Sequence, residues 1–193
     1  TTGSYNVALG FAALGSDTQG SLSVAIGASA LLNQNFTSAT DAYNVAVGTN
    51  AGLSVTTGTS NTLIGGLSGD AITTGAGNTA VGLGSLSATT TANFNTALGY
   101  QALLANTTGA SNVAVGANAL DANTEGVSNT AVGMQSLTSN TTGINNAAVG
   151  RYSLFNNTTG GSNTAMGLQA LFTATTASYN TAVGFQSLLA NTT

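Results

Sequence analysis

The amino-acid sequence is dominated by a five-residue motif that returns at a nearly fixed interval. The motif reads Asn, Thr or Val, Ala, a large aliphatic residue and Gly. Its copies lie 17 residues apart, except for one step of 21 that carries a four-residue insertion near residues 36–41. The eleven copies start at Asn6, Ser23, Asn44, Asn61, Asn78, Asn95, Asn112, Asn129, Asn146, Asn163 and Asn180. Such a period indicates one small unit stacked many times, in which no unit buries its apolar face alone.

Each repeat is numbered here from the first residue of the motif, and the residue types at its 17 positions favour β-structure. Positions 1 to 4 alternate and prefer β-branched side chains, which predicts a strand. Gly at position 5 ends that strand, either by adopting a positive φ or by allowing a close backbone approach. We expect a second short strand at positions 8 to 10 and a return turn in the Asn-Thr-Thr-Gly segment. A helix is disfavoured, because each of the two or three glycines per repeat costs about 1 kcal/mol relative to alanine.

These patterns predict an all-β fold, namely a β-solenoid (parallel β-roll) of eleven stacked 17-residue coils. Strands about 4.8 Å apart would make a rod roughly 50 Å long. Identical side chains then stack as ladders, and stacked Asn amides satisfy one another's hydrogen bonds. The predicted ladder residues are Asn6, Asn44, Asn61, Asn78, Asn95, Asn112, Asn129, Asn146, Asn163 and Asn180 at position 1; Val47, Val81, Val115, Val132, Val149 and Val183 at position 4; and Gly10, Gly27, Gly48, Gly65, Gly82, Gly99, Gly116, Gly133, Gly150, Gly167 and Gly184 at position 5.

Both faces of the predicted strand carry restricted residue types, which indicates that both are buried. Positions 2 and 4 point to one side, and positions 3 and 5 point to the other. If the aliphatic side chains fill the interior, a uniformly small Ala/Gly face lies outside and something packs closely on it. If Ala and Gly lie inside, an aliphatic ladder lies outside and needs a partner. A coil of 17 residues is too thin to bury both faces alone, so we expect a homo-oligomer.

The chain contains very few charged residues, and this argues against several classes of function. Only six of its 193 residues are charged, and it contains no Lys, His or Cys. Without a basic patch we expect no binding to nucleic acid or to anionic membranes. Membrane insertion is not expected either, because no apolar run approaches the roughly 20 residues of a membrane span.

The scattered carboxylates do not form a catalytic constellation. Catalysis needs a nucleophile, a base and an orienting group within hydrogen-bond reach. Asp70 and Asp121 share position 10 but lie three coils apart, which is roughly 14 Å on the strand spacing and too far to share a metal ion. The sequence therefore predicts no enzyme activity, no cofactor and no metal site.

Six aromatic residues form three pairs that recur every five coils. Each pair has one ring at position 17 and the other at position 6 of the following coil: Tyr5 with Phe11, Phe94 with Tyr100, and Tyr179 with Phe185. One hypothesis is a platform that stacks on glycans, since flat rings suit the apolar faces of sugars. The alternatives are a duplicated five-coil block and rings that fill widened corners of the coil. Ala92 and Ala177, which replace the turn Gly just before two of the pairs, favour the corner-filling account.

The Thr-rich turns raise two weaker hypotheses. Flat ice-binding faces need Thr at alternate positions of a strand, whereas the Thr residues at positions 13 and 14 are adjacent. N-x-T glycosylation motifs also occur in the turns, although their recurrence follows from the repeat itself. These motifs begin at Asn106, Asn140, Asn157 and Asn191.

The segment Ser-Val-Ala-Ile-Gly-Ala-Ser-Ala at residues 23–30 resembles the head repeat of YadA-like trimeric autotransporter adhesins. The other coils, such as residues 95–109, are similar to repeats of long tail-fibre-type proteins, in which a self-cleaving chaperone domain often follows. The resemblance covers the whole chain. It implies a left-handed parallel β-roll that assembles as a homotrimer or filament and is exposed outside a cell or virion.

The sequence therefore predicts a single repeat array over residues 1–193, a slice of a longer chain without caps. Its expected function is that of a structural or adhesive extracellular fibre segment, the shaft or head of a surface adhesin. Its expected partners are copies of itself and a surface glycan or host receptor. Two alternatives stay open: a phage-type tail-fibre shaft, and a monomeric solenoid that binds ice or glycan.

Overall fold

The computed structural model describes residues 3–192, and it confirms the predicted β-solenoid. Eleven three-residue strands, one from each repeat, pair in parallel and in sequence order. They are β1 (Val7–Leu9), β3 (Val24–Ile26), β5 (Val45–Val47), β6 (Thr62–Ile64), β7 (Thr79–Val81), β8 (Thr96–Leu98), β9 (Val113–Val115), β10 (Thr130–Val132), β11 (Ala147–Val149), β12 (Thr164–Met166) and β13 (Thr181–Val183). Residues 3–192 form no helix. The expectation that Thr1, Thr2 and Thr193 continue the array without caps falls on residues outside the described part of the chain.

The strands stack in strict register, so that equal repeat positions face each other along the rod. Ala97 of β8, for example, pairs with Ala80 on one side and Ala114 on the other. A one-residue slip would turn the buried face of a strand outward. The register is therefore fixed within one chain by which residues of each strand are buried.

The four-residue insertion is accommodated beside the main sheet. A second sheet pairs β2 (Gly20–Ser21) with β4 (Thr40–Asp41), and Phe36 is buried there. Ser23 replaces Asn in this coil, and the buried side chain of Gln34 compensates. Its amide nitrogen donates to Ser23 Oγ at 3.1 Å, and its carbonyl oxygen accepts from Asn44 Nδ2 at 2.8 Å. The ladder thus continues across the irregular coil.

The small side chains of each strand, at position 3, face the interior of the solenoid. This decides between the two strand orientations that the sequence left open. Position 3 is fully buried from Ala25 to Ala165, and it packs with Ala or Ser at position 8 and Leu at position 9. The aliphatic residues at position 4 point outward. A strand of three residues with Ala inside lets the opposite wall of each coil approach closely, so a short coil still packs without voids.

The prediction of a second strand at positions 8 to 10 is wrong. They lie in a turn in which repeat positions 7 and 9 adopt a left-handed backbone, as at Gln101 (φ 52°) and Leu103 (φ 52°). Hydrogen bonds alternate between coils and within a coil: Leu103 N–H donates to Ala119 O in the next coil, and Asn106 N–H donates back to Leu103 O. The left-handed residues place positions 8 and 9 both inside, which a strand cannot do because its side chains alternate.

One local exchange of residues keeps the core filled. Gly52 and Gly69 replace the position 9 Leu in two adjacent coils, and Leu63 replaces the position 3 Ala between them. A Cβ added at Gly52 would lie 2.8 Å from Leu63 Cδ1, and one at Gly69 would lie 2.7 Å from Leu63 Cδ2. Leu31 Cδ2 and Ile72 Cδ1 approach the same two sites to 2.9 Å and 2.8 Å, so Leu63 and these neighbours together occupy the volume of the two missing leucines.

The position 1 Asn side chains tie each coil to itself and to the next coil. Asn112 Nδ2 donates to Gly126 O in the return turn of its own coil at 2.8 Å. Asn112 Oδ1 accepts the backbone N–H of Asn129 at 2.9 Å. This pattern recurs along the rod, and the side chains from Asn44 to Asn163 are at most 1% exposed. The stacked amides thus bond mainly to backbone groups rather than to one another.

A second buried Asn ladder runs at position 12, inside the return turn. Nδ2 of each Asn donates to Oδ1 of the preceding one at 2.8–2.9 Å. The ladder consists of Asn106, Asn123, Asn140 and Asn157, and it ends where the next coil has Ala174. Asn157 Oδ1 is consequently buried without a hydrogen-bond partner.

We predict that the double variant Ala174→Asn/Ala177→Gly extends this ladder and stabilises the fold. The new amide would satisfy Asn157 Oδ1, a gain of about 1–3 kcal/mol. Gly is needed at residue 177 because a Cβ at the equivalent Gly109 would lie 2.6 Å from Asn106 Oδ1. Urea unfolding of the two single variants and the double variant measures the coupling free energy between the two substitutions. Single-variant effects that simply add would contradict the prediction, since interacting sites are non-additive.

Candidate functional site

The outer face of the main sheet is the most distinctive surface of the molecule. It consists of the side chains at positions 2 and 4, which we call the apolar strip. At position 4 the side chains are large and apolar in every coil, and they are half-buried or exposed, reaching 45% exposure at Leu98 and Met166 in inner coils and 67% at Val183 in the last coil. Position 2 adds Val, Thr or Ala in every coil. Parallel sheets are normally covered on both faces, so this uncovered strip is a candidate interaction surface.

The six paired aromatic side chains flank the apolar strip and are exposed. Their exposed fractions range from 50% at Tyr100 to 86% at Tyr179. The rings therefore do not fill corners of the coil, and the corner-filling account is wrong. Phe94 illustrates the actual arrangement: its ring lies on the outer surface against Gly77 of the preceding coil, where an added Cβ would be 2.8 Å from Cδ1.

A different aromatic cluster was not anticipated from the sequence. Phe155 and Phe172 stack at position 10 of successive coils, with ring centroids 5.2 Å apart. Tyr152 meets Phe155 edge to face at 5.4 Å, and the guanidinium of Arg151 lies 4.5 Å above the Tyr152 ring. The equal repeat position of the two Phe residues was the available signal for their stacking.

The Thr-rich turns are occupied by internal hydrogen bonds. The position 13 hydroxyls donate to the position 13 carbonyl of the next coil, as Thr124 does to Thr141 at 3.1 Å. These hydroxyl groups are therefore not available to order water on an ice-binding face. Among the two Thr positions of the turn, position 14 is the exposed one. The N-x-T motifs meet a similar limit, because Asn106, Asn140 and Asn157 are fully buried with their amide nitrogens donating.

The carboxylates lie apart from one another along the rod. Asp70 Oδ1 accepts from Ser87 Oγ at 2.6 Å. Burial raises the pKa of the Asp121 carboxyl above its usual value, while a hydrogen bond from Asn118 opposes this shift. The part of the chain that the structure describes contains no group of three potential metal ligands and no pocket. None of its described segments is a helix long and apolar enough to cross a membrane.

Taken together, the fold and the strip define a charge-poor parallel β-solenoid repeat protein with an apolar outer face. Comparison of the chain with protein-family models, with curated proteins and with solved structures finds no match.

Proposed function

We propose that this chain is a non-catalytic structural segment of an extracellular fibre, the shaft or head of a surface adhesin, and that it assembles as a homotrimer through the apolar strip. The observation that carries the proposal is the continuous aliphatic ladder on the outside of a parallel sheet. A sheet face in contact with water would carry polar side chains at its outward positions. Here position 4 is large and apolar in every coil along the rod, beside Thr at position 2 in six coils and Val or Ala in the other five. A continuous file of large apolar side chains is the pattern of an interface.

The dimensions of the strip suit a stable interface between copies. The strip itself is three residues wide, so eleven strands about 4.8 Å apart span roughly 50 by 10 Å. With the adjoining positions 1 and 5, the outer face measures about 800 Å², which is the contribution of each partner to an interface of standard size. The strip carries no charged side chain at positions 2 or 4 in any coil, so association of like faces meets no charge repulsion.

The mechanical and adhesive parts of the proposal rest on the repeat itself. Backbone hydrogen bonds and the position 1 Asn ladder connect successive coils, and the position 12 ladder adds further bonds from Asn106 to Asn157, which favours a stiff spacer. Repetition also presents the same weak contact many times, so that a glycan or a host receptor would be bound by avidity. A phage-type tail-fibre shaft uses the same mechanics and is the alternative within this class.

A monomeric glycan-binding solenoid is the second candidate, and the exposure of the six paired aromatic rings favours it. Flat rings on an open surface suit sugar faces without a pocket. This candidate differs from the fibre in the state of association. A monomer that binds soluble polysaccharide through these rings would replace the fibre proposal.

The molar mass in solution tests the fibre proposal. Light scattering during size-exclusion chromatography is expected to give three times the 18.7 kDa chain mass, or an open polymer. The variant Leu98→Lys/Val149→Lys is expected to be monomeric, because it places two charges in the strip and burying unpaired charge is costly. The matched control Thr108→Lys/Thr159→Lys changes two exposed turn residues and should keep the assembled mass. A monomeric native chain would contradict the proposal.

A further inference from the structure

Assembly through the apolar strip raises a question of register between copies. The strip repeats with every coil, so a neighbour displaced by one coil along the rod meets almost the same aliphatic ladder. Repetitive surfaces of this kind specify register weakly. Some other feature must select one alignment if the copies are to meet with equal coils at equal heights.

The paired aromatic residues are the feature that breaks this repetition. They flank the first, sixth and eleventh strands of the main sheet, with one ring on each side of the strip. We call each pair a rung. The rungs are five coils apart, or about 24 Å on the strand spacing. At position 17, six of the eight intervening coils carry Ser, Gly or Asn: Ser60, Gly77, Ser111, Ser128, Asn145 and Ser162. The other two have Leu22 and Tyr43, but position 6 across the same strands is Ala28 and Thr49, so neither forms an aromatic pair.

We propose that the three rungs set the register between copies in the assembly. The inference rests on the proposed homotrimer, in which the position 17 edge of one copy lies beside the position 6 edge of the next. With equal heights, each exposed ring at position 17 meets an exposed ring at position 6: Tyr5 meets Phe11, Phe94 meets Tyr100, and Tyr179 meets Phe185. Aromatic pairs of this kind gain energy beyond the area that they bury.

Displacement by one coil removes every one of these contacts. Phe94 would then face Leu83 or Ala117 of the neighbour instead of Tyr100. Displacement by five coils would restore two rungs, but it would also uncover nearly half of the strip. The aligned state is therefore the one that keeps both the full strip and all three rungs, whereas the aliphatic ladder alone discriminates little between small displacements.

The absence of cysteine from the chain allows a clean test by interchain distance. A nitroxide on Thr108→Cys, in an exposed turn, reports the distances between copies by pulsed electron paramagnetic resonance. We expect one narrow distance for the native rungs. In the variant Tyr5→Ser/Phe94→Ser/Tyr179→Ser/Phe11→Ala/Tyr100→Ala/Phe185→Ala, we expect a broad distribution that extends to longer distances. Slips of several coils, each about 4.8 Å along the axis, combine with the lateral separation of the labels. The matched control exchanges Tyr and Phe at the same six positions and should keep the narrow distance.

Mass and distance together separate this inference from the trimer itself. A rungless variant that keeps the trimer mass but loses the single distance supports the inference. A rungless variant that keeps the single distance overturns it, and so does one that becomes monomeric, since the rungs would then supply affinity rather than register. A native chain that is monomeric and shows no interchain distance contradicts the underlying trimer.

Discussion

The variant Gly116→Ala is expected to lose at least about 3 kcal/mol of folding free energy, because two separate constraints meet at this residue. Its φ is 134°, a conformation that residues with a side chain rarely adopt. An added Cβ would also lie 2.6 Å from Gly133 O and 2.7 Å from Gly133 C of the next coil. Those are backbone atoms, so no rotamer change relieves the contact. The neighbouring coil would have to move, and every coil beyond it is hydrogen-bonded in register.

The control for this prediction is Gly84→Ala, which adds the same methyl group at position 7. Gly84 has a φ of 66°, similar to the non-Gly residues at this position in the other ten coils. A Cβ there would make an ordinary 3.6 Å contact with Gln101 Cγ. We expect a change within about 1 kcal/mol, since alanine also reduces the freedom of the unfolded chain. Urea unfolding of both variants gives the comparison, and equal losses would show that crowding at position 5 is not the cause.

The fold was predictable from the sequence because the period and the strand positions are local properties. Asn at position 1, Ala at position 3 and Gly at position 5 recur almost without exception. Asn hydrogen-bonds between coils, Ala allows close packing, and Gly adopts the positive φ that ends the strand. The orientation of the strand was not predictable, because the alternation of positions 3 and 4 fits either face inside. Packing decides it: the position 9 Leu, such as Leu103, fills the interior, so Ala97 fits beside it, and a Leu at position 3 occurs only at Leu63, where position 9 is Gly.

The turn at positions 7 to 12 was mispredicted for a different reason. Leu and Gln rarely adopt a positive φ, so the residue types at Gln101 and Leu103 do not predict the left-handed backbone found there. Contacts between coils supply the stabilisation that offsets this strain. The exposure of Phe94 was likewise not readable from the sequence, since a ring in a widened corner and a ring on the surface have the same spacing.

The second large effect on stability is expected at the position 1 Asn, whose side-chain hydrogen bonds form only when the coils are folded and stacked. The variant Asn61→Ala is expected to cost about 2–6 kcal/mol, because it leaves two buried backbone groups without partners, each worth about 1–3 kcal/mol. Asn61 Oδ1 accepts the N–H of Asn78 at 3.0 Å, and Asn61 Nδ2 donates to Gly75 O at 2.9 Å. Position 12 of this coil is Ile72, which has no amide to replace the lost donor.

The chain provides its own graded comparison for this loss. Asn112→Ala removes the same two bonds, but Gly126 O still accepts from Asn123 Nδ2 at 3.0 Å. Only one group is orphaned there, so we expect about half the loss. Asn33→Ala changes an exposed Asn at position 11, where several other coils have Ala, and should stay within about 0.5 kcal/mol. Urea unfolding of the three variants should rank their losses in that order. Equal losses in Asn61→Ala and Asn112→Ala would mean that cavity formation, rather than the number of orphaned backbone groups, determines the stability of each coil.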